Sequence, residues 1–120
     1  MLDKTTTVQE LKDLVAKFID EREWTQFHAP KNLSISIALE AAELMEKFQW
    51  CSLKESHDEA KTNRDEVEQE LADVIITALC FARITNINVV KAIQEKMLIN
   101  AKKYPVSKAK GRYTKYNKLD

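Results

Sequence analysis

A single glycine and two prolines serve all 120 residues, and that scarcity limits what the chain can build. Tight hairpin turns depend on Gly, Asn-Gly or Pro at fixed positions, so a protein this poor in both has little material for a β-sheet. Leu, Ala, Glu, Lys and Gln, all good helix formers, are plentiful. An all-α fold is expected. The length suits one domain, and a hydrophobic content of 44% is enough for a modest core.

Thr7-Val8-Gln9-Glu10 has the spacing of a capping box and marks the start of a first helix. Leu11, Leu14, Val15, Phe18 and Ile19 then follow the i, i+3, i+4 pattern of one buried face, and the polar run Asp20 to Glu23 ends it. The connection Trp24-Thr25-Gln26-Phe27-His28-Ala29-Pro30 is rich in aromatics. It either covers the core or walls a ligand pocket. A second helix is expected from about Asn32 to Trp50, followed by a polar stretch from Ser52 to Asn63. Thr62 and Asp65 form a weaker capping pattern for a third helix from Asn63 to Thr85. Asn86 or Asn88 caps a fourth, which carries Val89, Ala92, Ile93 and Met97 and must end before Pro105. Nothing beyond Tyr104 reads as regular structure. The expected architecture is an antiparallel four-helix bundle over residues 1–104, with a basic tail over residues 105–120.

The formal net charge is zero, so the chain has no electrostatic footprint for a nucleic-acid polymer. The charge is unevenly spread, because residues 101–120 hold seven Lys or Arg and one Asp. An acidic body thus carries a tail able to reach an anion or simply to be solvated. No apolar run approaches a membrane span and the N-terminus lacks a signal-peptide pattern, so a cytoplasmic protein is expected. Cys51 and Cys80 lie apart without CxxC spacing, which argues against both a disulfide framework and a zinc site.

On the second helix Glu40, Glu43 and Glu46 recur every three residues in an otherwise apolar segment. Taken alone they are compatible with a solvated edge. On the third helix Glu66, Glu70, Asp73 and Thr77 line a stripe that continues into Cys80, Phe81 and Ile84. A face acidic at one end and apolar at the other is not simply a solvent face, and buried carboxylates need protons or a cation. Glu40-x-x-Glu43 and Glu70-x-x-Asp73 are therefore candidate metal ligands. An all-oxygen set favours Mg²⁺, with Mn²⁺ as the substitute, and Mg²⁺ commonly binds beside substrate phosphates. A di-iron bundle would need Glu-x-x-His, and neither His28 nor His57 is so placed. On the fourth helix Lys96, Asn100 and Lys103 share one side as candidate phosphate donors, helix-end solvation being the plainer reading of Lys103.

The strings EREWTQFHAPKNL (Glu21 to Leu33), LEAAELMEKFQW (Leu39 to Trp50), EQELADVII (Glu68 to Ile76) and KMLINAKKYPV (Lys96 to Val106) together resemble the all-α nucleoside triphosphate pyrophosphohydrolases of the MazG type. Within that family the chain is most similar to the dCTP pyrophosphatase branch. It departs at Ala41 and Ala42, where the branch often has glycine. The resemblance implies Mg²⁺-dependent cleavage of a nucleoside triphosphate, dCTP or a modified pyrimidine deoxynucleotide, to monophosphate and pyrophosphate. It implies Glu40, Glu43, Glu70 and Asp73 as metal ligands, Trp24 and Trp50 as walls of the base pocket, and Lys96 and Asn100 as phosphate or sugar contacts.

Around that set, Phe27, His28, Thr77 and Tyr104 are further candidate substrate contacts. Glu46 or Glu66 is the candidate base for water, the sequence leaving the choice open. The second helix is apolar over about half its circumference, which together with the resemblance implies a homodimer or homotetramer. The rival reading is a non-catalytic helical interaction module whose acidic stripes only solubilise it.

Overall fold

The capping box at Thr7 forms as expected. The Glu10 amide donates to the Thr7 hydroxyl at 3.1 Å, and the Thr7 amide donates to the Glu10 carboxylate at 2.7 Å. In the computed structural model, which describes all 120 residues, it opens the first of six helices. These are α1 (Val8–Glu21), α2 (Pro30–Glu46), α3 (Leu53–Thr62), α4 (Arg64–Thr85), α5 (Val89–Lys103) and α6 (Val106–Ala109). Short 3₁₀ turns lie at Trp24–Phe27 and Tyr116–Lys118, and there is no strand. The all-helical expectation holds. None of the helices is by itself long and apolar enough to cross a membrane.

Several boundaries differ from those expected. α2 starts at Pro30, because proline at the first helical position gives up only an amide that would be unbonded there anyway. It ends at Glu46, so Trp50 lies in the turns beyond the helix. The polar stretch after it is not a loop. Ser52 and Glu55 form a second capping box and α3 follows. α4 is not capped by Thr62: its N-cap is Asn63, whose side-chain amide instead donates to Glu59 at 2.6 Å. The two asparagines proposed as alternative caps have separate jobs. Asn86 takes the left-handed conformation that ends α4, at φ 57°, and the Asn88 side chain accepts the Lys91 amide to start α5. Regular structure also continues past Tyr104, in α6 and the second 3₁₀ turn.

The chain forms two compact units, Met1–Ile87 and Asn88–Asp120. In the first, α4 is the central rod against which α2, α1 and α3 pack. The α2–α4 pair is antiparallel: Leu33 near the start of α2 meets Cys80 near the end of α4, while Lys47 just past α2 bonds Glu66 at the start of α4. Ile19, Leu33 and Cys80 are buried together, with Val15, Phe81 and Ile84 packed against them. Leu79 and Ala82 complete the buried apolar set. Much of the remaining apolar surface of α2 stays open, Leu39 being 60% exposed.

Within the second unit, the tail turns back on the end of α5. The Tyr116 ring meets Tyr104 edge-on, with centroids 6.1 Å apart, and the Lys103 ammonium lies 4.8 Å from the centre of the Tyr116 ring.

Candidate active site

Antiparallel packing of α2 and α4 sets the middle of one helix beside the first half of the other. Residues three apart share a helix face, so Glu40 and Glu43 project together, as do Glu70 and Asp73. Carboxylate oxygens of Glu40, Glu43 and Glu70 lie within 4.8 Å of one another. Burial and then the charge of Glu43 push the Glu40 carboxyl above its ordinary range, and Asp73 and Glu70 add to the push. Asp73 therefore belongs to the same electrostatic neighbourhood. Glu40 and Glu70 are half-buried, whereas Glu43 and Asp73 are exposed, so the cluster has a closed side and an open one.

On the closed side, Glu40 Oε2 and Glu70 Oε2 are buried without a hydrogen-bond partner. Two such acceptors beside a third carboxylate are expensive to maintain, since each gives up water and gains repulsion. A divalent cation would supply the missing partner to all of them, and hard oxygen ligands suit such an ion. The cluster could bind a metal ion.

Lys47, just past the end of α2, is a basic neighbour of the cluster. Its ammonium donates to Glu66 at 2.8 Å, and Glu66 holds it above the ordinary lysine range, with Glu70 and Glu59 adding to the effect. Glu66 is in turn held below the usual carboxylate range. Nineteen residues separate the partners, so no local spacing announces the pair. Glu46 closes α2, is exposed and takes part in no ion pair. The Thr77 hydroxyl is already used, donating to the Asp73 carbonyl at 2.7 Å.

The aromatic candidates fall into two places. Trp24 sits on the 3₁₀ turn with its ring edge-on to Phe18, centroids 5.7 Å apart, and the Arg22 guanidinium covers the Phe18 ring at 3.7 Å. Phe27 ends the same turn and His28 follows it, the first exposed and the second half-buried. Trp50 lies apart in the α2–α3 connection and is 89% exposed. Neither Phe27 nor Trp50 stacks on another ring. In the second unit, Lys96 and Lys103 are exposed on α5 and Asn100 is half-buried, its carbonyl accepting the Tyr104 amide at 2.8 Å.

Fold and cluster together define an all-helical protein that presents a metal-capable carboxylate site from two antiparallel helices. Comparison with known proteins makes this particular. The MazG-like family model matches residues 35–119. dCTP pyrophosphatase 1 of Rattus norvegicus is 36% identical over 115 residues, covering 94% of this chain and 68% of that protein. The human dCTP pyrophosphatase 1 is 34% identical over the same length and coverage. Among solved structures, a pyrophosphatase from Archaeoglobus fulgidus superposes with a TM-score of 0.80 at 40% identity, over 88% of this chain and 98% of that one. The chain belongs to the MazG-like family.

Proposed function

We propose that this protein is a nucleoside triphosphate pyrophosphohydrolase that splits dCTP, or a modified pyrimidine deoxynucleoside triphosphate, into the monophosphate and pyrophosphate. The observation that carries this reading is the pair of buried, unpartnered oxygens on Glu40 and Glu70 beside Glu43. The names of the rat, human and archaeal relatives support the same activity.

Glu40, Glu43, Glu70 and Asp73 would hold the cation, with Mg²⁺ the ion and Mn²⁺ its substitute. When bound, such an ion neutralises phosphate charge and makes water a stronger acid. The chain's own groups do the rest. Glu46, one turn from Glu43 and in no ion pair, accepts the proton of the attacking water, whereas Glu66 is engaged by the Lys47 ammonium at 2.8 Å. Attack falls on the α-phosphorus, and pyrophosphate leaves on the opposite side. Trp24 and Phe27, on one turn beside His28, offer flat faces for the base, and Trp50 offers another beyond the far end of α2. Thr77, whose hydroxyl proton is committed to the Asp73 carbonyl, can only accept. Within the second unit, Lys96, Asn100, Lys103 and Tyr104 are donors of the kind that phosphate and sugar oxygens take.

The open apolar surface of α2 supports a homodimer or homotetramer, since Ile35, Leu39 and Met45 are each at least half exposed in the single chain. The test of function is pyrophosphate release across a panel of deoxynucleoside, ribonucleoside and modified triphosphates. Hydrolysis with Mg²⁺ is expected, greatest for a pyrimidine deoxynucleotide, and lost in Glu43→Gln and Asp73→Asn. Absence of hydrolysis on every substrate, or full rates in both variants, rules the reading out.

A further inference from the structure

Asp20, at the end of α1, ties two parts of the first unit together. The Arg83 Nη2 of α4 donates to both of its oxygens, at 2.8 Å each. The Thr25 hydroxyl donates to the Asp20 Oδ1 at 2.8 Å. Thr25 lies within the 3₁₀ turn, directly beside Trp24. The turn is entered through Glu23, a non-glycine residue in the left-handed region at φ 54°, a conformation that persists only where its surroundings impose it. Gln26 steadies the same corner by donating to the Glu23 carbonyl at 2.9 Å.

A surface ion pair alone contributes little to stability, and this one has an unfavourable side: Arg83 Nη1 is buried without a partner. An apolar residue at position 83 would avoid that penalty. What the arginine achieves is a fixed reference. Glu70, Asp73 and Arg83 are all on α4, with Arg83 about 15 Å along the rod from Asp73. The aromatic turn is thereby registered to the very helix that contributes half of the acidic cluster.

We propose that the Arg83–Asp20–Thr25 chain is a positioning device that sets the aromatic turn of Trp24 and Phe27 for base recognition. This rests on the pyrophosphohydrolase reading for its substrate. None of the three residues touches the reacting atoms. They act on KM through Trp24, and the phosphate-cleaving end is left alone.

The test uses Thr25→Val, which removes the hydroxyl at nearly constant shape, Asp20→Asn, and Thr25→Ser, which keeps the hydroxyl. Thr25→Val and Asp20→Asn are expected to raise KM for the preferred deoxynucleoside triphosphate about fivefold, the effect of one hydrogen bond. Their kcat stays within about twofold, their affinity for Mn²⁺ alone is unchanged, and Thr25→Ser retains the parent KM. A second readout needs no turnover. With Trp50→Phe as background, Trp24 is the sole tryptophan of the chain, and Thr25→Val is expected to increase its quenching by acrylamide. A lowered melting temperature with unchanged KM would reduce the contact to a stabilising one and overturn the proposal. If the parent chain hydrolyses no nucleotide, the pyrophosphohydrolase reading falls, and quenching alone decides the positioning role: no change refutes it.

Discussion

Glu40 and Asp20 are perturbed in opposite directions, and the two give stability opposite pH dependences. Burial, then Glu43, raises Glu40 above the ordinary value of 4.5. Its protonated form suits the fold, so its contribution is full below that value and is lost as pH rises through the folded-state pKa. In a metal-free buffer at neutral pH, Glu40→Gln should therefore raise the melting temperature above that of the parent chain. Adding Mg²⁺ should reverse the order, because only the parent can use the ion. Asp20 is lowered from 3.8, first by its hydrogen bond to Arg83 and then by that to Thr25. Its contribution is present above that value and disappears as pH falls through the folded-state pKa. Asp20→Asn should lower the melting temperature at neutral pH and flatten its acid decline. On activity, Glu43→Gln should reduce kcat/KM by about a thousandfold or more, about 4 kcal/mol of transition-state stabilisation.

Among the elements, α3 shows why some of the fold could be read from the sequence and some could not. α1 was legible because a capping box precedes a regular apolar stripe. Ser52-Leu53-Lys54-Glu55 has the same capping signature, with the Glu55 amide donating to Ser52 at 3.1 Å. The helix behind that cap is mostly polar and buries no residue, so no periodic stripe confirms the start. α6 is only four residues long, too short for periodicity to register at all. Because α3 lacks an anchored apolar face, its cap matters: Ser52→Ala should cost about 1 kcal/mol in urea unfolding. At the other extreme, Leu33→Ala removes a side chain buried against Ile19 and Cys80. It should cost about 2–5 kcal/mol by the same measurement.

For the whole molecule, the informative contrast is between contacts set by local spacing and contacts set by topology. That Glu40 and Glu43 would lie close to Glu70 could be expected in advance, because each ExxE or ExxD pair lies on one helix face and antiparallel helices bring such faces together, whereas Asp73 stands outside that close group. The Lys47–Glu66 and Asp20–Arg83 pairs, 19 and 63 residues apart, depend on the register of packed helices, which no short pattern encodes. The proposed self-association is also a property of this scale. Sedimentation equilibrium should give at least twice the chain mass of 13.9 kDa, and Leu39→Asp, which places a charge on the open face of α2, should lower the association state. A 13.9 kDa species throughout would refute the assembly and leave the catalytic reading standing.

The reading as a whole depends on the carboxylates of α2 and α4 acting together as a cation site, and Mn²⁺ binding monitored by electron paramagnetic resonance probes this without substrate or turnover. Saturable binding is predicted for the parent chain, with loss of most of that affinity in both Glu40→Gln and Glu70→Gln while the helical circular dichroism is retained. No saturable binding by the parent, or equal binding by both variants, would contradict it.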